Sequence, residues 1–141
     1  MVPTLNGRLQ TRVIVTLVVG GLWTLLITPF LPDGAPLGSS YSASFQVLLL
    51  VAFVGVLWEL LYHGLQQFRW EKDWPTLFGL ATMVNEGILI WILLKAGVGL
   101  DVPLGAFLLH FVTVWLVVWA WVNGPMRIFL VHWRFNGGRL V

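Results

Sequence analysis

Two carboxylates and two imidazoles lie within stretches of this chain that are otherwise oily: Glu59, Glu86, His63 and His110. A carboxylate at the bilayer centre costs at least about 2.5–3.5 kcal/mol on insertion scales, so a chain that keeps two must hold them inside, neutral, paired or bound. Groups held that way can bind a cation or a proton, ligate a metal, or lock helices together. Asn85, next to Glu86, suits an interhelical hydrogen bond.

The spacing narrows these options. Helix bundles do build metal sites from glutamates and histidines. The familiar di-iron pattern needs Glu-x-x-His twice, whereas this chain offers Glu59-x-x-x-His63 and no second copy, so no metal is expected. Depths about 20 Å apart, at a rise of about 1.5 Å per residue, argue against a single haem bridging His63 and His110, so no cofactor is expected either. On the same scale Glu86 falls at mid-bilayer, His110 about 6 Å to one side, and Glu59 about 9 Å to the other, with His63 a turn deeper. This order suits passage of a proton or cation, and it makes His110 the expected partner of Glu86, directly or through one water.

The elements that position these residues are apolar helices. Of 141 residues, 58% are hydrophobic and 10% are charged, against roughly 25% charged in soluble domains. Lipid is the natural solvent for such a chain. Four runs are long enough to cross a bilayer: 12–31, 44–65, 76–96 and 103–124. The expected fold is all-α, an integral membrane four-helix bundle forming one transmembrane domain over 1–141, multi-pass in the cell membrane. Arg8 and Arg12 before the first run resemble a signal n-region, but the run is long for an h-region and lacks an Ala-x-Ala site, so it reads as a span. The connector LPDGAPLGSSYS, 31–42, reads as a loop, and Asp73 and Asp101 read as caps of the third and fourth helices. Gly124–Pro125 should kink or end the fourth helix. Residues 125–134 then read as an interfacial helix or a kinked extension, and NGGRLV as a flexible tail.

Lys and Arg cluster at Arg8 and Arg12, at Arg69 and Lys72, and at Arg127, Arg134 and Arg139, which puts both termini on the cytoplasmic side. Trp23, Trp70, Trp74, Trp91 and Trp133 lie near or beyond span ends, as interfacial anchors do. Trp115 and Trp119 share a helix face, read as meeting a partner chain or lipid. WEKDWPT reads as a docking loop or as a solvated turn between anchors.

Each helix carries a polar or small stripe at helical spacing: Thr16, Gly20, Thr24 and Thr28; Gly55, Glu59, His63 and Gln66; Thr82, Asn85, Glu86 and Leu89; Ala106, His110, Thr113 and Val117. One bundle with a polar interior explains all four. In size and span number the chain resembles small multidrug exporters, whose essential glutamate lies in their first membrane helix. The first helix here has no acid, so the resemblance covers architecture and carries over no residue.

The absence of cysteine excludes thiol chemistry, including that of four-span quinone-linked oxidoreductases, and a net charge of +2 is too small to suggest nucleic acid. No serine–histidine–carboxylate set or phosphate-binding loop points to catalysis. The leading expectation is a subunit or interaction partner in a larger membrane assembly, with lipid and either other membrane subunits or further copies of the chain as partners. The alternative is a small proton-coupled or cation transporter using Glu86 and Glu59, with His110, Asn85 and His63 beside them. A membrane enzyme or metal protein is the third class.

Overall fold

The computed structural model describes residues 4–32, 34–69, 76–98 and 101–141. Among these residues the chain is helical and contains no strand. Four helices are long and apolar enough to cross a membrane: α1 (Leu5–Phe30), α2 (Leu37–Gln66), α3 (Phe78–Lys95) and α4 (Leu104–Asn123), the last continuing after a break as α5 (Pro125–Phe129). A final short helix, α6, covers Val131–Phe135. α1 packs on α2 and α4, and α3 packs on the same two, so α1 and α3 face each other across the bundle's diagonal.

Two helices begin earlier than the hydropathy pattern suggests. α1 starts at Leu5 because Thr4, in extended backbone, caps it, its hydroxyl accepting from the Gly7 amide at 3.1 Å. The polar turn that follows is helix-competent, and hydropathy alone misses it. α2 starts directly after Pro36, so the expected loop is half helix. Ser40 and Ser44 are buried there, and the Tyr41 hydroxyl donates to the Leu25 carbonyl at 2.9 Å, tying α2 to the far end of α1.

The core is concentrated between α2, α3 and α4. Val47, Val51 and Val54 meet Ile90 and Leu94 and a run of aromatic residues on α4. Phe107, Phe111 and Trp115 stack along one face, with centroids 5.4 and 5.7 Å apart. Gly87 makes this possible: a Cβ there would lie 2.8 Å from a Phe111 ring carbon. A residue larger than glycine would push α3 off the aromatic face.

α1 contains one π-helical turn, Thr16–Gly20. Thr4, Arg8, Arg12, Thr16, Gly20, Thr24 and Thr28 recur every four residues, and all seven are buried or half-buried. A four-residue repeat outruns a 3.6-residue turn by about 40° per step, so six steps would carry the stripe about two-thirds of the way round a straight α-helix. The wider i→i+5 turn takes up part of that drift, keeping the two arginines on the same inward face as the threonines.

Other expectations are corrected. Asp101 does not cap α4. Pro103 occupies that position, and Asp101 accepts a hydrogen bond from Lys95 Nζ at 3.0 Å instead. The tail is docked rather than loose. Thr4 donates to the Gly137 carbonyl, Thr11 to the Gly138 carbonyl, and the Gln10 side chain receives the amides of Leu140 and Val141. The backbones approach so closely that a Cβ on Gly7 would lie 2.0 Å from the Gly137 oxygen. α6 folds back with the tail, so Trp133 is buried with its indole N–H on Thr11 Oγ1 at 2.9 Å, not anchored at an interface. Expectations for Trp70, Lys72, Asp73, Trp74 and most of WEKDWPT concern residues outside the described ones.

Candidate functional site: a charge network beside a cavity

The inward arginines of α1 meet both glutamates. Arg12 spans the diagonal to Glu86 on α3, its Nη2 on Glu86 Oε2 and its Nη1 3.4 Å from Oε1. The same Nη1 is 3.8 Å from Glu59 Oε1 on α2. Arg8, one turn earlier, donates from Nη1 to Glu59 Oε2 at 3.2 Å and from Nε and Nη2 to Gln66 Oε1 at 3.1 and 2.7 Å. Tyr62 donates its hydroxyl proton to Glu86 Oε1 at 3.1 Å, and Asn85 Nδ2 donates to that hydroxyl oxygen at 3.0 Å. The result is a continuous set of bonds through the bundle interior, with two guanidinium charges against two carboxylates.

Local sequence explains each placement. Arg8 and Arg12 are four apart and therefore share a face, as do Glu59, Tyr62 and Gln66 at spacings of three and four. Gly55, one turn before Glu59, leaves the hole that the Arg12 guanidinium fills; a Cβ there would sit 2.4 Å from Arg12 Nε. On its other side the guanidinium lies 4.6 Å over the Trp115 ring, a cation–π contact favoured where water is excluded. Glu86 is only 2% exposed. At that burial an unpaired carboxylate would be far costlier than a paired one.

The expected residues are thus partly gathered and partly not. Glu86, Glu59 and Asn85 join one network. His110 does not: the predicted Glu86–His110 contact is replaced by Glu86–Arg12 and Glu86–Tyr62, while His110 Nε2 sits 2.9 Å from Thr24 Oγ1. Thr24 donates its single proton to the Gly20 carbonyl at 2.7 Å, so it receives the His110 Nε2–H. His63 also stands apart, its Nδ1 buried without a hydrogen-bond partner among the described residues. No three histidine, aspartate or glutamate side chains converge there as metal ligands would.

Trp115 and Trp119 do share a face, but it turns inward against α3. Their indole nitrogens donate to the Gly79 and Thr76 carbonyls at 3.0 and 3.1 Å. These carbonyls belong to the first turn of α3 and the residues just before it, so the face expected to meet a partner or lipid closes the bundle instead. Arg8, Arg12 and Tyr62 are functional candidates that the spacing argument missed, whereas Gln66 lies on the stripe it marked. The available signal was the extension of the four-residue stripe from Thr16 back through Arg12 and Arg8.

Beside the network lies a cavity of about 260 Å³. It runs from Thr16 and Val51 inside the bundle to Arg127, Trp133 and Gly138 at the end where the tail meets α1. Its walls are mainly apolar and aromatic, with Arg8, Arg12 and Glu59 on one side and Trp115 and Trp119 on another. No protein-family model matches the chain, and comparison with characterised proteins and with solved structures finds no match.

Proposed function

We propose that this chain is a multi-pass membrane protein that binds a small solute within its bundle, in the manner of a small transporter or a membrane-embedded binding protein. The observation that carries this reading is the 260 Å³ cavity set against a charge network. Small-molecule sites are concave and mostly apolar, with a few convergent polar groups. The cavity also bears on how the acids are used. A cation binding at Glu86 would have to displace Arg12, leaving a guanidinium stranded in the interior, so the direct cation-carrier reading is the less favoured one. Glu86 and Glu59 find partners in Arg12 and Arg8 within the chain, so the assembly-subunit reading draws no support from them.

In this reading the network holds the chamber's shape and ties α1, α2 and α3 together on one side of it. Arg69, Arg127, Arg134 and Arg139 gather at the end of the bundle where the tail meets α1, whereas Lys95 lies at the other, so the chamber's end is assigned to the cytoplasmic side. The test is solute binding by the purified full chain in nanodiscs, read as a shift in melting temperature across anionic, neutral and cationic small molecules. Val118→Phe, which puts a ring into the cavity, should abolish any shift while the helical circular dichroism is retained. Shifts that survive this substitution unchanged would place binding elsewhere and defeat the reading.

A further inference from the structure

Resting on that reading, we propose that the chamber's ligand is a small amphiphilic anion: a carboxylate or phosphate head on a short apolar or aromatic body, drawn from free solute. Three observations converge. The first is charge. Among the described residues Arg8, Arg12 and Arg127 line the cavity and Glu59 is the one acid doing so, with Glu86 just behind Arg12. Three guanidinium charges therefore face two carboxylates. Arg8 and Arg12 are committed to Glu59 and Glu86, whereas Arg127 forms no ion pair among the described residues. A guanidinium matches a carboxylate or phosphate bidentately.

The second observation is Thr16. It lies in the wall at the π-helical turn and is 3% exposed. Along the same stripe Thr24 and Thr28 satisfy their hydroxyls on the carbonyls four residues back, at 2.7 and 2.6 Å. Thr16 makes no such bond; its side chain lines the cavity, and π turns recur at functional sites. This one is placed to meet a polar atom on the ligand's body. The third observation is shape. At about 260 Å³ the space sits below the roughly 300–1,000 Å³ common for drug-sized ligands. It suits a one- or two-ring molecule or a short chain between Val114, Val118 and the Trp115 and Trp119 rings. A whole two-chain lipid is too large, although the headgroup of an anionic lipid carries the same chemistry.

The experiment uses the full chain in phosphatidylcholine nanodiscs, with 1-naphthoate as probe and 1-naphthylmethanol as its neutral counterpart. Binding is counted above that of empty nanodiscs. Naphthoate should bind saturably and about tenfold or more tighter than the alcohol, the worth of a charge-assisted bond. Arg127→Gln should remove that preference and leave alcohol binding unchanged. Thr16→Val, close in volume, should weaken naphthoate by about 3- to 10-fold, the worth of one hydrogen bond, with the melting temperature of the unliganded protein kept. Equal affinity for acid and alcohol would overturn the anionic ligand while leaving a solute chamber standing. Saturable binding of neither would overturn both. Displacement of naphthoate on adding phosphatidylglycerol to the nanodisc would transfer the site from a free solute to a lipid headgroup.

Discussion

Arg12 is the residue on which the interior charge depends. It touches Glu86, approaches Glu59 and lies on Trp115. Removing one partner of a buried ion pair leaves an uncompensated charge, which typically costs 3–5 kcal/mol, whereas replacing both with apolar groups of similar volume is often nearly neutral. Arg12→Met should therefore lower unfolding stability in detergent by about 3–5 kcal/mol, and Arg12→Met with Glu86→Met should recover most of it. If the double variant is no more stable than the single, Arg12 and Glu86 do not act as a pair. Gly55→Ala tests the same point from the other side. Its methyl would occupy the guanidinium's place, so a loss of about 1–3 kcal/mol is expected, as for overpacking elsewhere.

At the scale of elements, α1 is the unusual one. Its π turn keeps the arginines in register with the threonine stripe by holding one residue more than an α turn, so a further residue inserted there should rotate one half of the helix against the other. Val18 lies within the turn and is 56% exposed, so a leucine inserted after it meets little packing. The insertion should swing Arg8 and Arg12 about 100° away from Glu59 and Glu86. Helical content should persist while stability falls by at least as much as in Arg12→Met. An unchanged melting temperature would show that the turn has no such role. The tail is the second element to test. Gly7→Ala places a methyl against the Gly137 carbonyl. It should release residues 136–141 to faster amide exchange and expose Trp133, read as a red shift in fluorescence.

For the whole molecule, four crossing helices put the first and last described residues at one end of the bundle, where Thr4 and Gln10 hold the tail. The chain has no cysteine, so single cysteines can report sidedness without background. Gly38→Cys, in open space, should react with a membrane-impermeant thiol reagent from one side, and Phe68→Cys and Arg139→Cys from the other. On the Lys/Arg distribution the side from which Phe68 and Arg139 react is expected to be the cytoplasmic one. Labelling of Gly38 and Phe68 from the same side would remove a span and with it the diagonal on which the network depends.

How much of this was legible beforehand follows from which interactions are local. Composition and run length alone determined a helical chain with four segments able to cross a membrane, because lipid leaves the backbone few other ways to satisfy its polar groups. Periodicity alone identified inward faces on the first three helices, whereas on α4 it marked Ala106 and His110 but not Phe111 and Trp115; the cost of a buried carboxylate marked Glu59 and Glu86 as residues needing partners. Which partners they take was decided only by the tertiary structure. Depth placed His110 near Glu86, but depth is one coordinate; azimuth is set by packing, and it turned His110 to Thr24 and Glu86 to Arg12. Arg12 reaches mid-bundle because α1 begins at Leu5, because a π turn holds its register, and because Gly55 on another helix leaves space for it. The cavity likewise belongs to no single segment: it is the volume left when α1, α2, α3, α4 and the returning tail close around unequal side chains.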